Sequence, residues 1–331
     1  MRLSDLGLVI PGTTSEHQEA ITLKTVFIGA VEGSAKALNA LCAAGHAPNL
    51  VITLPLDLSH RHSDFFDLEP ICSEYEVPLH RTPKSEAPET LALISSINPD
   101  LVLVIGWSQL CSPALLGIPR IGCLGFHPSA LPRLRGRGVI PWTILLGERE
   151  TGATLFWLGD GADTGPIADQ RLIKIDPNQE TAASLYAKQI SALAEMLPPL
   201  VTRIAEGEIP SEPQDESKAS VCARRRPEDG YVDWSKPAAE IERLIRAAGP
   251  PYPGAFTYTA DGTRLTLNLA APHPQDGYFI GLPGQVQAVN GSRFTVACGD
   301  FRCIDITDWA GADAPPRLHT ILGGQKQKAS T

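Results

Sequence analysis

Two stretches of the chain set residue types that can move protons into segments with the composition of loops. The first is Gly125-Phe126-His127-Pro128-Ser129-Ala130-Leu131-Pro132-Arg133-Leu134-Arg135-Gly136-Arg137, and the second is Gly159-Asp160-Gly161-Ala162-Asp163-Thr164-Gly165-Pro166. An imidazole titrates near neutrality, so His127 is a candidate general acid or base. A carboxylate brought beside it favours the imidazolium and raises its pKa, a role open to Asp163. Residue type alone leaves a second reading for each. His127 is equally a packed core side chain between prolines, and Asp163-Thr164-Gly165 is equally a simple turn, where Asp is favoured for its side-chain hydrogen bonding.

Other chemistries find less support. The seven cysteines (Cys42, Cys72, Cys111, Cys123, Cys222, Cys298 and Cys303) include no Cys-x-x-Cys pair, and no His is spaced to complete a zinc site with Cys298 and Cys303. No metal centre is expected, and the thiols read as buried and reduced. After the first predicted strand comes Gly29-Ala30-Val31-Glu32-Gly33. It lacks the middle glycine of a dinucleotide fingerprint, and no Walker phosphate loop occurs. The net charge of −9 gives no overall nucleic-acid footprint. One tight basic cluster, Arg224-Arg225-Arg226, is either a solvated charge run or a local patch. The N-terminus lacks the apolar core of a signal peptide and no stretch is long enough to span a membrane, so a cytoplasmic protein with no membrane partner is expected.

The elements that must carry these loops follow from periodicity. With 331 residues and 43% hydrophobic content, the chain suits two globular domains. Apolar runs at 25–30, 50–54, 77–80 and 101–105 alternate with helical patterns at 34–44, 65–75 and 89–97, which predicts a parallel sheet covered by helices on both faces. A helix over 141–146, a hairpin-like pair at 153–158 and 167–175, and a helix over 182–205 follow the first loop. A Pro-, Glu- and Ser-rich segment then has a linker's composition. Beyond it, a helix at 238–248 precedes short strands at 256–258, 264–269, 284–289, 294–298 and 303–307, a pattern suited to a small antiparallel barrel. The predicted division is a lead-in over 1–24, a catalytic domain over 25–206, a linker over 207–223, a barrel domain over 224–323 and a tail over 324–331.

His127 to Pro132 followed by Arg135-Gly136, then Glu150-Thr151-Gly152-Ala153-Thr154, then Ala162 to Gly165, in that order, resembles the 10-formyltetrahydrofolate-dependent formyltransferase family. Ile105-Gly106-Trp107-Ser108-Gln109-Leu110 resembles the family's folate-side strand end. Arg225 to Trp234 and Pro251 to Phe256 are similar to the C-terminal domain of its methionyl-tRNA and sugar-nucleotide branches. The resemblance covers about residues 25–322. It implies an α/β fold, with a Rossmann-like, mostly parallel sheet first and a small OB-like antiparallel barrel second. It also implies an N-formyltransferase whose co-substrate is 10-formyltetrahydrofolate.

The same resemblance assigns roles. His127 and Asp163 would be catalytic. Gln109, Leu110 and Cys111 would contact the folate, together with the Gly159, Asp160, Gly161 and Ala162 turn. Ser129, Ala130, Leu131 and Pro132 would shape the loop, and Arg137 would stand beside the site. The chain departs from the family at Gly125, where an Asn usually donates to the developing oxyanion; one such donor is worth about 2.7–4 kcal/mol of barrier. The acceptor implied is the primary amine of a small molecule, a nucleotide-linked amino sugar by the similarity of Arg226 to Asp229, of Gly106 to Gln109 and of Arg137. Methionyl-tRNA is the alternative partner, and a non-catalytic folate-binding protein is the reading that Gly125 keeps open.

Overall fold

The computed structural model describes residues 23–61 and 63–323. The lead-in up to residue 22 and the tail over 324–331 lie outside the described residues. Strands β1 (Thr25–Ile28), β2 (Leu50–Thr53), β3 (Leu79–Arg81), β4 (Leu101–Val104) and β5 (Gly122–His127) pair in parallel in the order β3-β2-β1-β4-β5. Strand β6 (Arg135–Gly136) leaves this sheet. The sheet continues antiparallel through β7 (Glu150–Trp157) and β8 (Ile167–Lys174). The central strands carry apolar residues on both faces because both faces are covered. Phe27, Val51, Leu103 and Leu124 meet α1 (Glu32–Ala43), α2 (Glu69–Glu74) and the long α6 (Ala182–Ala205). Val26, Ile52, Val102 and Cys123 meet α3 (Pro88–Ile97) and α4 (Pro113–Leu116).

The helix expected over 65–75 is shorter at its start. Glu32 N–H donates to the Asp64 carbonyl, Phe66 N–H donates to the Ala30 carbonyl, and Phe65 bridges Val31. These bonds hold 64–66 extended against the β1–α1 turn, so helix α2 opens only at Glu69.

The second sheet is antiparallel. It orders β10 (Ala255–Tyr258), β11 (Arg264–Pro272), β14 (Cys303–Ala310), β13 (Arg293–Ala297) and β12 (Val286–Asn290) in that sequence. Its apolar face (Leu265, Leu267, Phe294, Val296, Ile304, Ile306) receives Ile241 and Ile245 of α7 (Ala238–Ala248). The opposite side of α7 reaches the first sheet's helices. Ala247 packs with Ile140 and Ile144 of α5 (Val139–Leu145), with Leu185 of α6, and beside Tyr186 and Tyr252. The guanidinium of Arg246, buried with Glu242, donates to the Glu180 and Pro177 carbonyls.

The segment with a linker's composition is docked along the first sheet. Ile167 and Glu212 exchange backbone hydrogen bonds at 2.8 Å, and Trp157 Nε1 donates to the Pro210 carbonyl. Strand β9 (Val221–Cys222) pairs in parallel with β6. Neither two-residue strand shows in the periodicity, because each exists only through the other. Among the described residues, no helix is long and apolar enough to cross a membrane.

Candidate active site

The loop after β5 is pinned from beneath by buried and half-buried polar groups. Thr154 Oγ1 donates to the Ser129 carbonyl at 2.6 Å, Gln170 Nε2 donates to the Leu131 carbonyl at 3.0 Å, and Gln189 Nε2 donates to the Pro128 and Gly152 carbonyls. Ser129, fully buried, closes the loop on itself by donating to the Arg133 carbonyl. Leu131 is buried too, so both side chains face protein, an arrangement that shapes the loop. Ala130 packs on Gly152, where any side chain would meet the Ala130 backbone at 2.9 Å.

This scaffold brings His127 and Asp163 together. His127 ends β5, and Asp163 lies in the β7–β8 turn, where hydrogen bonds from Gly136 and Gln214 hold it beside the imidazole. His127 Nδ1 stands 3.6 Å from Asp163 Oδ2. His127 Nε2 lies 2.8 Å from the Leu134 carbonyl. A carbonyl only accepts, so Nε2 carries the proton and Nδ1 of the neutral ring is left as the base. Asp163 is held from two sides: Gly136 N–H donates to its Oδ2 at 2.8 Å, and Gln214 Nε2 donates to its backbone carbonyl. Leu134 and Asp163 both adopt left-handed backbone conformations, at φ of 57° each. Such conformations persist where their surroundings over-determine them, as these bonds do.

The electrostatics correct one expectation. The carboxylate was expected to raise the imidazole pKa, but burial dominates and drives His127 below the usual range; Asp163 and the Leu134 hydrogen bond only partly oppose it. At neutral pH the ring is therefore neutral. At 3.6 Å the imidazole and carboxylate are farther apart than a hydrogen bond. On taking a proton, Nδ1–H gains a charged partner directly opposite.

The residues expected to contact the folate follow β4 and form the β7–β8 turn. Cys111 and Leu158 pack on the same apolar cluster. Burial lifts the Cys111 thiol to about 11, so it is an uncharged wall. Gln109 donates to the Pro83 carbonyl, and Leu110 is 81% exposed beside it. The Gly159, Asp160, Gly161 and Ala162 turn is exposed, and its N–H groups donate to no backbone acceptor among the described residues. Apolar side chains beside unengaged backbone donors and acceptors fit a flat heterocycle with a polar edge. At Gly125 a side chain would crowd two neighbours. A Cβ there would lie 2.6 Å from Leu158 Cδ2 and 3.2 Å from Phe156 Cε1.

Several neighbours of the His127–Asp163 pair escaped the sequence reading. Leu134 and Gly136 act through backbone atoms, which no residue type announces. Gln189 left a signal, since it interrupts the apolar stripe of Leu185, Leu193 and Met196 on α6. Arg135, 5% exposed, forks onto Gln214 and Glu216 and ties the docked linker to the loop. Arg137 lines a cavity with Arg224, Arg225 and Arg226.

Comparison with known proteins agrees with this architecture. Residues 43–201 match the formyl transferase family model, and residues 225–311 match that of the formyl transferase C-terminal domain. A methionyl-tRNA formyltransferase of Geobacter metallireducens is 33% identical over 279 residues, 84% of this chain and 88% of that protein. HypX from Aquifex aeolicus, solved with tetrahydrofolic acid, superposes with a TM-score of 0.60 at 18% identity, over 87% of this chain and 44% of HypX, so the chain spans under half of that protein. An N-formyltransferase from Helicobacter canadensis, solved with folinic acid and dTDP-3-aminofucose, gives 0.58 at 17% identity, covering 86% of this chain and 98% of that one. These two likenesses establish the fold. The match along both halves and the identity to the Geobacter protein show that the chain belongs to the formyl transferase family.

Proposed function

We propose that the protein transfers a formyl group from 10-formyltetrahydrofolate to the primary amine of a small acceptor, a nucleotide-linked amino sugar, with His127 and Asp163 as the proton-handling pair. The observation that carries this is the tautomer: Leu134 occupies the protonated Nε2, so an unprotonated Nδ1 faces the Asp163 carboxylate. The amine nitrogen attacks the formyl carbon, and its excess proton passes to Nδ1. Asp163 stabilises the resulting imidazolium. The bond from carbon to the folate nitrogen then breaks, and that nitrogen takes up the proton given back by the imidazolium, which restores the neutral ring. Gln109, Leu110, Cys111 and the Gly159 to Ala162 turn would hold the pterin. The folate-bound proteins of the same fold support the choice of donor.

A second acceptor, methionyl-tRNA, is favoured by the activity of the Geobacter relative. Charge favours the small acceptor. Residues 207–323 carry eleven Lys and Arg against fifteen Asp and Glu, which is no phosphate-tracking stripe. The test supplies 10-formyltetrahydrofolate with one acceptor at a time: amino-sugar nucleotides, charged initiator tRNA, ornithine, or water alone. Release of tetrahydrofolate only with an amino-sugar nucleotide is the expected result. Release only with tRNA would replace the acceptor. Folate binding without release under any condition would leave a non-catalytic folate-binding protein.

A further inference from the structure

The segment between the two domains reaches both members of the proposed proton-handling pair. Gln214 is half-buried, and its side chain bridges two loops. Its Nε2 donates to the Asp163 carbonyl at 2.9 Å and to the Gly165 carbonyl at 2.7 Å. Its Oε1 accepts from Arg135 Nε at 3.1 Å and from Arg135 Nη2 at 2.8 Å. Arg135 directly precedes Gly136, whose N–H donates to Asp163 Oδ2. The path from Asp163 through Gln214, Arg135 and Gly136 back to Asp163 is therefore a closed ring. The β7–β8 turn cannot swing away from β6 without breaking bonds in that ring.

The other member is held from the same segment. Ser220 Oγ accepts from the Leu134 N–H at 2.9 Å, and the Ser220 carbonyl accepts from the Arg135 N–H at 2.8 Å. The Leu134 carbonyl is in turn the acceptor for His127 Nε2. Leu134 and Gly136 both stand in left-handed backbone, at φ of 57° and 95°. A Cβ on Gly136 would lie 2.8 Å from the Cys222 carbonyl oxygen, so the bare backbone there lets β9 lie against β6. Strained conformations of this kind hold only where neighbours fix them. At its far end the Arg135 guanidinium meets Glu216, at 2.9 Å from Nη1 and 2.7 Å from Nη2, so the segment also supplies the carboxylate that balances this buried cation.

We propose that the interdomain segment is part of the catalytic frame, with Gln214 and Ser220 as positioning residues that fix the separation of His127 and Asp163. The proposal rests on the reading of that pair as the proton-handling groups. Gln214 and Ser220 bond neither to the imidazole nor to the carboxylate. Each acts through a backbone carbonyl or N–H of a residue that holds one of them, or of Asp163 itself. Their effect is on orientation, and a misplacement of about 1 Å in such a relay costs about 10² in rate.

The experiment uses the full chain and compares Gln214→Leu, Ser220→Ala and a Ser217→Ala control, whose hydroxyl in the parent donates to Asp215 on the exposed side of the segment. In the first two, kcat should fall about ten- to a hundredfold with little change in KM for either substrate, while the control stays at the parent's rate. Gln214→Leu should cost nothing further in an Asp163→Asn background, because it acts through that carboxylate. NMR titration of the His127 ring, which needs no turnover, should move to lower pH in both variants, since each loosens a group that favours the charged ring. Ser220→Thr keeps the hydroxyl and should restore the rate. If Gln214→Leu does not fold, Gln214→Glu keeps the acceptor for Arg135 but lacks the donor to Asp163, and it enters the same rate and double-variant comparison. Full turnover in the Gln214 variant, a loss that multiplies with that of Asp163→Asn, or an unmoved His127 titration would overturn the proposal and leave the pair in place. If instead Asp163→Asn turns over normally while the segment's variants still shift the His127 titration, the catalytic role of the pair fails and the frame stands.

Discussion

Replacing Asp163 with Asn isolates the charge of the carboxylate from its shape. Asp163 Oδ2 both accepts from Gly136 N–H and faces His127 Nδ1. In Asp163→Asn the amide oxygen must take that place, because the amide nitrogen would set one donor against another. The geometry is thus kept and only the charge is lost. At 3.6 Å, its attraction for an imidazolium is about 1 kcal/mol in a water-like medium and about 5 kcal/mol at an effective dielectric near 20. Asp163 is 22% exposed and His127 only 6%, which puts the pair between those limits, toward the second. At about 1.4 kcal/mol per decade, kcat should fall by about two to three orders of magnitude. Affinity for 10-formyltetrahydrofolate should be nearly unchanged. The pH profile supplies a second readout. Burial already places the His127 pKa below the ordinary range. Without the carboxylate it should drop further, so the acid limb of kcat/KM moves to lower pH while the plateau falls. Measuring tetrahydrofolate release across pH, with folate binding by titration, tests both. Unchanged turnover, or an acid limb that moves upward, would refute the proposed pairing.

Gly125→Asn alone should lower stability by about 1–3 kcal/mol without raising turnover, because Leu158 and Phe156 fill the space a side chain would enter. Adding Leu158→Ala should open that space and raise kcat by about 10²–10³ if the amide reaches the developing oxyanion; a full gain from the single substitution would show that Leu158 gives way unaided. The buried, neutral His127 should also make stability depend on pH. Its folded pKa lies below that of the unfolded chain, so its contribution is present above about pH 6.5 and is lost as pH falls through the folded pKa, with a slope of up to about 1.4 kcal/mol per unit. Urea midpoints from pH 8 to 5 should flatten in His127→Gln by that amount. Arg246→Ala leaves Glu242 buried without its partner and removes donors to Glu180 and Pro177, so it should cost about 3–5 kcal/mol and loosen α7 from α6; chemical denaturation would then show the loss, and its absence would mean that the apolar contacts of Ala247 suffice.

The sequence by itself determined the two architectures and singled out the side chains proposed to handle the proton. Apolar runs such as Leu101 to Val104 have no polar face to turn to water, so they become central parallel strands, and the alternating segments after Ala255 become antiparallel ones. The order of motifs around His127 and Asp163 was likewise legible in one dimension. Tertiary structure decided the protonation chemistry. Whether a carboxylate raises an imidazole pKa depends on how much water the ring has lost, and sequence carries no burial for a single loop residue. It also decided which groups hold the pair, since the Leu134 carbonyl and the Gly136 N–H belong to the backbone every residue shares. The Arg224 to Arg226 run read equally as linker or patch until folding set Arg137 and Trp142 beside it. Charge density, unlike periodicity, arises only when distant segments share a volume.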